Sequence, residues 1–271
     1  MIQATAVKTW KLVLIGVAAG LLSGGFGVGG GIVLVPLLLA VGMDRHRAHA
    51  TSLASIFPIA AAGAVIFALS GEVNLGLGVA VGIGGVVGSI VGASVMNRLS
   101  TRSLSIFFGL VILAAGIRMI FSTDPLPVAA GFDDLTLAAI AFGIGLVSGF
   151  FAGVAGIGGG IVIVPATVLL LGFAQHEAQG TSLLAIILTS IAATIVNRKN
   201  RRVTLRDAVM VGIGGVAGSI LASQVALGVD GQILSALFGS LAVLIALRTL
   251  YRAFTTEGET TEGETTEAET A

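Results

Sequence analysis

Residues Ser23–Pro36 read SGGFGVGGGIVLVP, and residues Ser148–Pro165 read SGFFAGVAGIGGGIVIVP. Both place a glycine cluster inside an apolar run and close on the same GGGIV-V-P pattern. Such apolar stretches belong in a core or a bilayer. Glycine is a poor interior residue for a helix, costing about 1 kcal/mol each relative to alanine. The two stretches therefore predict two apolar helices that are each broken at their glycines, one in each half of a duplicated chain.

The duplication continues outward from these stretches. His46-Arg-Ala-His-Ala-Thr51-Ser52-Leu53 matches His176-Glu-Ala-Gln-Gly-Thr181-Ser182-Leu183. Gly84–Ile90 matches Gly214–Ile220, Phe108-Gly109 matches Phe238-Gly239, and Arg118 matches Arg248. From Gly42 onward the offset is 130 residues without a gap. Each half has one apolar segment of about a dozen residues (Leu12–Ser23; Leu137–Ser148) and a glycine stretch (Gly24–Gly31; Gly149–Gly160). A second short segment follows (Ile32–Val41; Ile161–Leu171), then three longer ones. The predicted organisation is a membrane repeat over 1–122, an extracytoplasmic linker over 123–134, a second repeat over 135–254 and a disordered acidic cytoplasmic tail over 255–271. The linker is polar with two prolines. The tail lacks apolar residues larger than alanine and cannot fold by burial.

Composition fixes the environment. Of 271 residues, 55% are hydrophobic and 10% charged, against about 25% charged in soluble domains. Uncharged runs such as Leu12–Met43 and Leu135–Gln175 exceed the ~20 residues that span a bilayer. The fold class is therefore an all-α polytopic membrane protein, with the lipid bilayer as a partner. A net charge of zero gives no field to attract nucleic acid. The absence of cysteine excludes disulfides, thiolate metal sites and cysteine nucleophiles. Lys8 and Lys11 before an apolar stretch imitate a signal peptide, but that segment recurs within the duplication.

Charge placement orients the halves. If each glycine stretch were a kink in one spanning helix, each half would cross four times and Lys8, Lys11 and Arg198–Arg206 would face away from Arg45, Arg47, Arg98 and Arg102. With an odd number of crossings per half, every Lys and Arg except Arg118 shares one face. Basic residues belong on the cytoplasmic side, so the halves are expected to be inverted, with both termini cytoplasmic and a multi-pass location in the cell membrane. Paired broken or re-entrant segments in inverted repeats are the pattern of secondary transporters. The two glycine tips are expected to meet near the midplane, where amide N–H groups and helix N-termini would favour an anion.

The twin pattern GxGGGxxxVP (Gly27 to Pro36; Gly156 to Pro165), followed by Ala50-Thr51-Ser52 and Gly180-Thr181-Ser182, resembles the TauE/SafE family of membrane transporters, also called the sulfite exporter or TSUP family. The resemblance covers nearly everything except the tail. It implies a permease for a small sulfur-containing or organic anion such as sulfite or a sulfonate, and leaves the substrate within that class open.

The candidate substrate-binding residues are Gly27, Gly29, Gly30, Gly31, Thr51 and Ser52, with Gly156, Gly158, Gly159, Gly160, Thr181 and Ser182 in the second half. The competing reading of the glycines is close helix packing, with Pro36 and Pro165 breaking or redirecting the helix. Thr51, Ser52, Thr181 and Ser182 are expected to start the next helix, where Ser and Thr also serve as N-caps. A literal G-x-G-x-x-G at Gly25–Gly30 lacks the βαβ setting of a dinucleotide site. His46 and His176 match across the repeat and read as interfacial polar residues, with proton coupling as the alternative. No metal, cofactor or catalytic residue is expected, and a homo-oligomer is left open. An anion channel is the competing function.

Overall fold

The computed structural model describes residues 7–95, 101–121, 131–155, 159–199 and 205–255. The regular structure among them is helical: α1 Thr9–Phe26, α2 Gly31–Ala40, α3 Arg45–Leu69, α4 Leu75–Val95, α5 Thr101–Phe121, α6 Asp134–Ala155, α7 Gly160–Leu171, α8 Gln175–Lys199, α9 Leu205–Leu227 and α10 Gly231–Thr255. Seven are long and apolar enough to cross a membrane: α1, α3, α4, α6, α8, α9 and α10. The apolar stretch of α5, Ser105–Phe121, is somewhat shorter. The outer surface carries large apolar side chains such as Leu69 and Phe121, 82% and 83% exposed, while Ser, Thr and Gln side chains lie inside. That distribution suits a hydrocarbon solvent and would be a liability in water.

The first helix of each half runs further into the glycine stretch than the sequence reading has it. Gly24 and Gly25 lie within α1, and α6 runs helical through Ala155, so the first segment of each half has 18 and 22 residues rather than a dozen. Only α2 and α7, at 10 and 12 residues, are short; at 1.5 Å per residue they reach about 15 and 18 Å. In hydrocarbon a backbone amide must be bonded, so helix persists through glycine wherever a neighbour packs on it. Pro36 and Pro165 sit inside α2 and α7 rather than ending them.

Glycine sets the main helix pairings. α1 packs on α9: a Cβ on Gly16, Gly20 or Gly24 would lie 2.0–2.2 Å from the carbonyl oxygen of Val211, Gly215 or Ser219 respectively. α4 packs on α6 in the same way, Gly84 on Phe142, Gly88 on Leu146 and Gly92 on Phe150. The matched numbers ascend together, so both pairs run parallel. α1 and α6 are equivalent in the repeat, as are α4 and α9, so the two pairings are one contact made twice. α5 and α10 are also equivalent to each other, and they run antiparallel: Gly116 meets Gly239, Ser235 Oγ donates to the Met119 carbonyl at 3.4 Å, and Arg102 lies over the Phe254 ring. α3 and α8, again equivalent, pack with Phe67 beside Gly180 while Ile56 and Ile186 both flank Gly29, which is antiparallel too. Residues 123–130 of the predicted linker and nearly all of the tail lie outside the described residues, and the linker's last residue, Asp134, begins α6.

Candidate functional site: the break between α1 and α2

α1 ends because Gly27 takes up a left-handed conformation, φ 71°, and closes the last turn with its N–H on the Ser23 carbonyl at 2.7 Å. Gly29 and Gly30 are left-handed as well, φ 75° and 72°, a region that costs other L-residues about 1–2 kcal/mol each. α2 starts at Gly31.

A helix C-terminus leaves carbonyls without partners, and inside a membrane each one needs a donor. The other half of the chain supplies them. Ser223 Oγ donates to the Gly24 carbonyl at 3.3 Å, Gln179 Nε2 to Gly25 at 3.2 Å and Ser182 Oγ to Gly27 at 2.8 Å. The amides beyond the break are in the opposite condition. No described residue accepts from the N–H groups of Val28, Gly29, Gly30, Gly31 or Ile32. The first four of these residues are buried.

The second glycine tip arrives at the same place. A Cβ on Gly160, the first residue of α7, would lie 2.6 Å from Val28 Cα and 2.9 Å from the Gly27 carbonyl oxygen. The start of α7 therefore touches the break itself, three residues before α2 begins. The N–H groups of Gly160 and Ile161 also find no acceptor among the described residues. Each N-terminus carries about half a positive charge from its macrodipole. Gly159 packs on Ser148; Gly156 and Gly158 lie outside the described residues.

Thr51, Ser52, Thr181 and Ser182 do not begin helices, contrary to the sequence reading. α3 starts at Arg45, capped by the Asp44 carboxylate, which accepts from Arg47 N–H at 3.0 Å. α8 starts at Gln175. The four residues fall in the second turn of each helix and are buried at 0–1% exposure. Asp44 is a strong cap that starts α3 six residues before Thr51. Ser52 and Ser182 precede Ile56 and Ile186 by one turn and share their helix faces. These two isoleucines flank Gly29, which sets both serines one helical turn from residues that line the break. The halves are nevertheless not equivalent. Ser182 is bonded to Gly27, and Thr181 Oγ1 accepts the Asn74 N–H at 3.0 Å. The hydroxyls of Thr51 and Ser52 have no partner among the described residues, nor does Gln179 Oε1.

Three side chains at work here had no signal in the sequence. Gln179 appears only as a mismatch with His49, and Ser223 as an ordinary small residue of an apolar run. Asp207, 4% exposed, receives Arg47 Nε at 3.1 Å and Nη2 at 2.5 Å. Nothing in a single sequence pairs residues that far apart. Of the matched histidines, His176 Nε2 lies 3.0 Å from the Ala226 carbonyl oxygen at the edge of α8, and the His46 side chain lies outside the description. Among the described residues no three His, Asp or Glu side chains gather as a metal site would require. Outside the spans, the Thr136 hydroxyl holds the Asp133 carboxyl below its usual range, far from the break in sequence.

The profile of the family described as "Sulfite exporter TauE/SafE" matches residues 2–119 and 141–270. A protein of Xylella fastidiosa, named a probable membrane transporter protein, is 29% identical over 94% of this chain and 98% of its own length. One of Bacillus subtilis with the same description, YunE, is 27% identical over 68% of this chain and 76% of its own. A relative in Methanocaldococcus jannaschii is 29% identical over 68% and 70%. The expected resemblance is borne out over both halves, breaks included: the chain belongs to the TauE/SafE family.

Proposed function

We propose that this protein is a secondary permease for a small anion, sulfur-containing or organic, such as sulfite or a sulfonate. It works by alternating access between two inverted halves, residues 1–122 and 135–254, in the cell membrane with both termini cytoplasmic. The observation that carries the reading is the run of N–H groups over residues 28–32 with no acceptor among the described residues, set against the start of α7. Buried donors of this kind are costly unless something accepts from them, and a small oxyanion accepts from several at once. The transporter role is supported by the naming of the relatives, and the anion class by the family description. Inversion is supported by the antiparallel packing of α5 on α10 and of α3 on α8. Substrate contact is assigned to Gly27, Gly29, Gly30, Gly31, Thr51 and Ser52, with Gly156, Gly158, Gly159, Gly160, Thr181 and Ser182 in the second half.

Purified protein in proteoliposomes tests this directly. Labelled sulfite, a sulfonate and a carboxylate are offered in turn, and at least one is expected to enter saturably, to be stimulated by the same anion on the other side, and to be recovered chemically unchanged. No flux of any of them through protein verified as folded would refute the permease. Single-channel current steps in planar bilayers would favour the channel instead.

A further inference from the structure

We propose that the α3–α9 interface is the gate on the face where α1, α3 and α9 begin, latched by the Arg47–Asp207 ion pair and hinged at Pro58. The proposal rests on the permease reading above.

The latch joins the two halves. Arg47 lies in the first turn of α3 and Asp207 in the first turn of α9. Two guanidinium nitrogens converge on one carboxylate oxygen, at 3.1 and 2.5 Å. The Asp207 side chain is 5% exposed and that of Arg47 22%. A buried carboxylate persists in this setting only while it is paired, so separating the helices must also break the pair. Just inside, the Ser55 hydroxyl shares its one proton between the Thr51 carbonyl of its own helix at 2.8 Å and the Ala208 carbonyl of α9 at 3.1 Å. Deeper still the contact is uneven: Ile59 Cδ1 lies 2.3 Å from where a Cβ on Gly215 would be, while the outer side of the interface carries a groove. Pro58 faces Gly212, and a groove of about 360 Å³ opens there, lined by Pro58, Val209, Gly212, Ile213 and Val216. A proline inside a helix removes a backbone hydrogen bond and lets the helix bend.

The repeat supplies an internal control. The equivalent interface is α8 on α4. There the partners of Arg47 and Asp207 are Glu177 and Leu77, which cannot form an ion pair. The partner of Pro58 is Leu188, whose Cδ1 lies 2.4 Å from where a Cβ on Gly82 would be, so the space is filled. The partner of Ser55 is Ala185, which has no hydroxyl. One interface is closed at its end by a buried ion pair and carries a groove on its outer side; its counterpart is tied at its end only by the Asn74 N–H on Thr181 Oγ1 and has the equivalent space filled by Leu188. A structure that opened equally at both faces would have no use for this difference.

The chain has no native cysteine, so Ser55→Cys places one buried thiol between latch and hinge. Its reaction with a maleimide is followed in the full-length protein without substrate. An opened gate that is a minor population, roughly 0.1–10% of molecules, leaves room for a rise of about tenfold or more. Arg47→Gln and Asp207→Asn are each expected to produce that rise, and the exchanged pair Arg47→Asp with Asp207→Arg to reverse it. Pro58→Leu, which copies Leu188 and leaves the latch intact, is expected to slow labelling below the parent rate. Parent-like labelling in Arg47→Gln, or in Asp207→Asn should the first not fold, overturns the latch; parent-like labelling in Pro58→Leu overturns the hinge. Because no substrate is present, changed labelling without flux of any anion refutes the permease and keeps the gate, while flux with unchanged labelling does the reverse.

Discussion

Ser52 and Ser182 occupy equivalent positions, one turn before the isoleucines that flank Gly29, under different circumstances. The Ser182 hydroxyl holds the Gly27 carbonyl at 2.8 Å, whereas the Ser52 hydroxyl is buried without a partner among the described residues. Removing one member of a buried hydrogen bond costs about 1–3 kcal/mol, while removing a group that bonds to nothing costs little. Ser182→Ala is therefore expected to lower the thermal unfolding temperature in detergent, and Ser52→Ala to leave it unchanged while reducing anion flux. Equal stability losses in the two variants would show that Ser52 is bonded after all. The glycines divide in a similar way. Gly29→Leu forces a branched side chain onto φ 75° and against Ile186 Cγ2, 2.9 Å from the new Cβ, and is expected to abolish flux. Gly42→Ala, also at positive φ but with nothing within 4 Å, should cost only the conformational ~1–2 kcal/mol and transport normally. The sequence brought these polar and glycine residues to one place, because the duplicated pattern singles them out. It misread the serines as helix starts, because a cap such as Asp44 decides a boundary by one side-chain bond that hydropathy does not register.

Among the helices, α1 shows what glycine spacing predicts and what it leaves open. Gly16, Gly20 and Gly24 recur every four residues and press against the α9 backbone. Close approach of this kind is the usual source of affinity between helices in lipid, where apolar burial gives no drive. A Cβ on Gly20 would sit 2.1 Å from the Gly215 carbonyl oxygen. Backbone cannot yield as a side-chain tip can, so Gly20→Ala is expected to destabilise by at least the ~1–3 kcal/mol typical of overpacking. Gly143, inside α6 with nothing within 4 Å, gives the contrast: Gly143→Ala should be neutral, or stabilising by up to ~1 kcal/mol through the unfolded chain. Chemical unfolding of the two variants in the same detergent decides it, and equal effects would remove the backbone contact as the cause. The helices themselves were legible in the sequence, since uncharged runs in a bilayer have few alternatives to helix. Their partners were not: Gly143 and Gly145 look alike in the sequence, yet only Gly145 touches α4, beside the Val81 carbonyl.

At the scale of the whole molecule, direction is the property that separates two architectures with the same helices. α1 runs parallel to α9 and α4 to α6 in either one, because a four-crossing half used twice in the same orientation gives those pairs the same sense as an inverted pair does. The equivalent helices α5 and α10 discriminate: like-oriented halves would make them parallel, inverted halves antiparallel. Gly116 meets Gly239 near the C-terminal end of α5 and the N-terminal end of α10, while Arg102 meets Phe254 at the other extreme. Under the proposed inversion Arg118 and Arg248, equivalent in the duplication, belong to opposite faces, as expected from the clustering of the remaining basic residues. In the cysteine-free background, Arg118→Cys is expected to react with a membrane-impermeant maleimide from outside intact cells, and Arg248→Cys only after the membrane is opened. Labelling of both from one face would leave the halves like-oriented. The two glycine breaks would then enter from the same side, and an access path that alternates between equivalent halves would have no basis.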